Sequence, residues 1–208
     1  MKPLNYVIMS TLALLLAGCS TAPTTTEKKA PAPPPEPVTG RKALYQMYQT
    51  ARAWAPDAEV LKLSSINLQE VKSEPGKAGA WGATFTSASR SRLRSYTSSV
   101  VEASGNLHKG TFAGLEEGWS GPRGTTKPFL MAALKSDSDG ALEAAMKQKK
   151  AVEYAKKNPD MAMNYLLEQT SKFKEFPAWR VIWGESVGTS NFSVYVNAST
   201  GDFLEIMH

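Results

Sequence analysis

Gly184-Glu185-Ser186-Val187-Gly188 spells the G-x-S-x-G pattern of an activated serine, and Asp202 and His208 follow in the order a Ser…Asp…His triad can take. That chemistry needs the serine on a sharp strand-to-helix turn. Here Asn191 to Val196 reads as a strand, so the two glycines read as hairpin-turn residues. The set also ends at the last residue of the sequence, where a chain frays. Ser171-Lys172-Phe173-Lys174 fits S-x-x-K, but no Lys-Thr-Gly accompanies it. Asp137-Ser138-Asp139-Gly140 has the opening of a calcium loop without the later ligands, and capping of a helix explains it better. One cysteine and two histidines leave no thiolate-rich or histidine-based metal centre. The expectation is therefore no catalysis, no cofactor and no metal, with a small envelope serine hydrolase using Ser186 as the alternative.

Two groups of residues suit binding instead. Arg90, Arg92 and Arg94 stand at alternate positions near a hairpin turn, so an extended backbone projects all three from one face, toward phosphate or carboxylate groups. The competing reading is a solvated edge that discourages strand-to-strand aggregation. Trp119 lies in Gly118-Trp119-Ser120-Gly121-Pro122-Arg123-Gly124, where an exposed ring beside Arg123 would line a cleft. Lys147, Lys149 and Lys150 read as a solvated helix face balanced by Glu143 and Glu153.

Cys19 is the single sulfur nucleophile. It follows Lys2, a positive start, and the apolar run Tyr6 to Ala17. Twelve helical residues rise only ~18 Å, short of the ~30 Å of a bilayer core, so the run reads as an export signal. Leu16-Ala17-Gly18-Cys19 resembles the lipobox of bacterial lipoproteins. The resemblance implies cleavage between Gly18 and Cys19 and a diacylglyceryl thioether on Cys19, with palmitate or a similar chain on its amine. Each buried methylene is worth ~0.8 kcal/mol, so two or three chains hold firmly. Ser20 rather than Asp follows the cysteine, which favours the periplasmic face of the outer membrane in a host with two membranes. Export disfavours nucleic acid as a partner.

The remaining chain must position whatever binds. Residues 19–40 hold Pro and Thr and almost no large apolar side chain, which keeps a tether extended and solvated. Over all 208 residues the composition is that of a globular protein: 42% hydrophobic, 21% charged, formal charge +5. That charge permits an anionic partner without requiring one.

Landmarks recur in order. A helical stripe over Arg41 to Ala55 ends at Pro56-Asp57. A second helix over Ala141 to Lys157 ends at Asn158-Pro159-Asp160, read as the N-cap and start of a further turn. Trp-led strands follow at 80–85 and 178–183, returning strands at 96–102 and 192–197, Ala-Ser turns with Gly105 and Gly201, and short strands at 107–112 and 203–207. The offsets shrink from 103 at the prolines to 98 at the tryptophans and 96 at the glycines, the pattern of a duplication with small deletions. The second half, with Trp179-Arg180-Val181 and Phe192 to Asp202, resembles the end of the PepSY domain, although Asn197 stands where that family has Asp. The resemblance implies cystatin-like α+β units with interaction roles.

The expected fold is thus α+β: two related helix-plus-antiparallel-hairpin repeats with helices on one face of the sheet. The boundaries are 1–18 signal, 19–40 lipidated linker, 41–113 first repeat, 114–136 Gly-rich connection and 137–208 second repeat. The expected function is a lipid-anchored, noncatalytic cell-envelope protein that binds a peptide, protein or polymer. A purely structural lipoprotein is a further alternative.

Overall fold

Leu44, Met47 and Ala51 recur at three- and four-residue steps and are fully buried, which sets the helix Gly40–Trp54 (α1) against the sheet along one stripe. The computed structural model describes residues 33–122, 126–173 and 175–208. Gly18, Cys19, Arg123 and Lys174 lie outside them. From Pro34 onward the chain forms one compact unit.

Val38–Thr39 (β1) pairs with Lys77–Ala78 (β3). The main strands of the first half are Glu59–Ile66 (β2), Ala80–Ser87 (β4), Arg92–Ser99 (β5) and Gly110–Gly118 (β6). A short strand Thr126–Lys127 (β7) and a 3-10 turn Met131–Ala133 lead to the helices Ser138–Met146 (α2) and Lys149–Lys157 (α3). The second half continues with Met163–Thr170 (β8), Ala178–Trp183 (β9), Phe192–Asn197 (β10) and Phe203–Met207 (β11). The sheet is antiparallel, nine-stranded, in the order β11-β10-β9-β8-β2-β4-β5-β6, with β7 beside β8. The helices pack on it, as an α+β architecture requires.

Each half supplies four consecutive strands, and β2 meets β8 in the middle through Lys62–Glu168, Leu63–Leu167 and Ser64–Leu166. On the helix-covered face next to this seam, the Trp81 and Trp179 rings meet edge to face at 6.4 Å and 73°. Trp81 Nε1 donates to Val38 O (2.9 Å) and Trp179 Nε1 to Ser136 O (3.1 Å); donor and acceptor are 43 residues apart in both. The Val100 amide donates to Gly79 O and the Ala198 amide to Pro177 O, each at 3.0 Å. Trp81 faces Ser98 as Trp179 faces Val196. One offset of 98 relates every member of these pairs.

The same offset joins Gly40 and Ser138. The Gly40 amide donates to Ser138 Oγ at 2.8 Å, and that hydroxyl donates to Gly76 O at 2.6 Å. The Gly76 amide donates to the buried Tyr165 hydroxyl (2.8 Å), whose pKa burial pushes up to about 12. Asp137, the α2 N-cap, accepts from the Ser138 and Arg41 amides. The starts of α1 and α2 are thus each fastened to the other half.

Several expectations need correction. The last residues of the linker belong to the fold: β1 is a paired strand and Gly40 opens α1 in a buried position. The helix expected over 141–157 is two helices, because Gln148 is extended (φ −86°, ψ 122°), and α3 turns to stack Tyr154 on Phe192 at 4.4 Å. Asn158 caps the end of α3, its side-chain amide donating to Tyr154 O, and no helix follows Pro159. The first returning strand spans 92–99, not 96–102, and the next spans 110–118, not 107–112, so β6 runs through position 114. β2 and β8 were not expected at all. The second-half strands stand where expected, with Trp179, Val181, Trp183, Val194 and Val196 in one core. Gly105 (φ +76°) and Gly201 (φ +86°) supply the left-handed turns after each Ala-Ser pair.

Candidate functional site

The tip of the β4–β5 hairpin gathers the arginines. α1 stops at Trp54, and Asp57 then reaches across to the hairpin, where Oδ1 accepts from the Ser87 hydroxyl (2.6 Å) and Oδ2 from the Ser89 amide (2.9 Å). These two donors hold the exposed carboxyl down from 3.8 to about 2. Ser91 takes a left-handed φ of +52°, and its carbonyl accepts from the Trp119 amide at 3.0 Å. Trp119 is therefore fastened to the turn that carries Arg90 and Arg92.

The three arginines have unequal freedom. Arg90 lies 5.6 Å from the Trp54 ring centre, donates to Trp54 O and stands 3.7 Å from Glu116. Glu116 Oε1 also accepts from Trp54 Nε1 at 2.7 Å. Arg94 donates to Gly114 O at 2.8 Å and lies 5.8 Å from the centre of the Tyr96 ring. Burial pushes the Tyr96 phenol up, and the Arg94 guanidinium opposes that. Arg92 is exposed and makes no side-chain hydrogen bond or ion pair among the described residues. It is the arginine whose fork stays available to an external carboxylate or phosphate.

Trp119 is half-buried and borders a cavity of 220 Å³ with Leu61, Leu93, Pro122 and Thr126. A void of that size admits one apolar side chain or small ring rather than a cofactor. Beside it runs β6, the outer strand of the sheet, with Phe112 45% and Leu115 87% exposed. A bare edge offers unpaired N–H and C=O groups to an extended segment.

The sequence pattern did not single out a second concavity. A groove of 570 Å³ lies along α1 between Arg41, Lys42, Tyr45, Gln46, Gln49 and Met131. Its one signal was Tyr45, an aromatic off the buried stripe and 55% exposed. The serine motif is dispersed. Ser186 sits on the turn between the antiparallel strands β9 and β10, bonded to the Thr189 hydroxyl at 2.9 Å, whereas Asp202 follows the far end of β10. Six strand residues, about 20 Å, separate the two turns. In the Ser171-Lys172-Phe173-Lys174 stretch, Lys172 is paired with Glu205 and lies over the Tyr195 ring, and Lys174 lies outside the described residues. Asp137 and Asp139 serve the start of α2. No cluster of three or more His, Cys, Asp or Glu that could hold a metal ion occurs among the described residues. No described helix is long and apolar enough to cross a membrane.

No family model matches the chain. No curated protein matches it either. Among solved structures, the chain is similar to a candidate lipoprotein from Clostridium difficile 630, at 9% identity, over 85% of this chain and 95% of that one, with a TM-score of 0.45.

Proposed function

We propose that this chain is exported, acylated on Cys19 and held at the cell envelope, where its folded unit binds a partner without transforming it. The observation that carries the reading is Leu16-Ala17-Gly18-Cys19 at the end of a short apolar run, followed by a Pro/Thr-rich stretch that delivers the chain to a unit beginning at Pro34. The paired bonds at a constant offset of 98 support descent of both halves from one duplicated, PepSY-like unit. A binding role is supported by what one end of the sheet offers together. Among the described residues, Arg92 is free and β6 is the outer strand with no partner on its far edge, and the Trp119 cavity fits an apolar side chain. This combination suits an extended, acidic peptide or protein segment.

Metabolic labelling with an alkyne palmitate analogue tests the anchor, with label expected on the wild type and lost in Cys19→Ser. A fluorophosphonate probe tests the absence of serine chemistry. The expected result is no labelling; labelling that disappears in Ser186→Ala would restore the hydrolase reading.

A further inference from the structure

We propose that the outer face of α3 is a docking surface for the anionic headgroups of a lipid bilayer, which lays the folded unit against the membrane that holds its anchor. The inference rests on the lipid-anchor reading above. α3 buries Ala151 and stacks Tyr154 on Phe192, so its other side looks outward. That side carries Lys149, Lys150, Lys156 and Lys157, all exposed, against a single Glu153, and Lys147 stands exposed just before it. Glu153 approaches Lys149 at 3.8 Å. No other acidic side chain lies within salt-bridge distance of these lysines among the described residues.

Apolar surface adjoins the charge. A cavity of 480 Å³ brings Lys149 and Lys150 beside Phe203, Ile206 and His208, and Phe203 and Met146 are each 37% exposed. Lysines flanked by an exposed ring and a thioether match a bilayer interface, where ammonium groups meet phosphates and apolar groups enter the headgroup layer. Each lysine close to an anionic surface favours partitioning by about fivefold. The attachment point agrees with this orientation. The tether enters through β1 into α1, and the first amides of α1 bond to Ser138 and Asp137 at the start of α2. All three helices pack on the same core, so β1 and the start of α1 lie on the side of the sheet that bears the lysines.

The test is amine footprinting of the full acylated chain on vesicles of phosphatidylcholine alone and of phosphatidylcholine with phosphatidylglycerol, read by mass spectrometry at each lysine. We expect acetylation of Lys149, Lys150, Lys156 and Lys157 to fall at least threefold on the anionic vesicles only, with Lys72 and Lys109 unchanged. The protection should vanish at ~1 M NaCl, where the Debye length is ~3 Å. Equal reactivity on both vesicles, uniform protection of every lysine, or the same protection from soluble glycerophosphate would overturn it. Flotation with the neutral vesicles reports on the anchor separately. A chain that fails to float there yet shows the α3 footprint on anionic vesicles loses the anchor and keeps the docking surface.

Discussion

Gly40 is one place where the two halves press close together. A Cβ there would lie 2.6 Å from Trp179 Cη2 and 3.0 Å from Trp81 Cη2, two rings that are themselves fully buried. Overpacking such a site costs about 1–3 kcal/mol. Gly40→Val should lower the urea midpoint accordingly, while Gly188→Val, with open space around it, should stay within about 0.5 kcal/mol of wild type. Equal midpoints for the two variants would show that the tryptophan contact is not tight. Asp57 gives a prediction of another kind. Its folded pKa lies below its ordinary value, so its carboxylate stabilises the fold above pH 3.8, and the contribution fades as the pH falls toward 2. The stability gap between wild type and Asp57→Asn in urea unfolding should narrow across that window, whereas a gap constant from pH 6 to 2 would contradict the assignment. Neither role was legible in the sequence. Gly40 read as the end of a linker, and Asp57 as a helix breaker, because both depend on residues distant along the chain. The arginines were legible as a group, but their meeting with Trp119 rests on one amide bond to Ser91 that no spacing announces.

At the scale of elements, the β2–β8 seam decides whether the halves behave as one. Leu63 is fully buried and faces Leu167 across it. Leu63→Ala should cost about 2–5 kcal/mol, and tryptophan fluorescence and far-UV circular dichroism should still follow a single unfolding transition. Two separate transitions would mean that the halves fold independently. The sequence concealed this seam for a physical reason. A bulge between Val60 and Lys62 lets Val60 and Leu63, three positions apart, both join the core, which breaks the alternation that marks a strand. β8 does alternate, with Met163, Tyr165 and Leu167 toward the helices, but Asn158-Pro159 before it suggested a helix start. β5 is mostly Ser, Thr and Arg, with Tyr96 its one large buried side chain, so only its later residues stood out. β9 and β10, dense in aromatic and β-branched residues, were legible to the residue.

At the scale of the whole molecule, the sheet has unlike ends, and the proposed acyl anchor precedes it in the chain. One end carries the exposed β6 and Arg92 beside the half-buried Trp119, and the helix-covered face carries the lysines of α3. The formal charge of +5 is modest, so its placement matters more than its size. An acyl anchor on Cys19, as proposed, would confine the folded unit to within tether reach of a bilayer and so determine what these surfaces can meet. The most direct measurement is the mass of the N-terminal peptide of the chain extracted from its native membrane. The account expects that peptide to begin at Cys19 and to carry the mass of a diacylglyceryl group, with a further acyl chain where the amine is modified. A peptide that begins elsewhere, or a Cys19 with a free thiol, would contradict it.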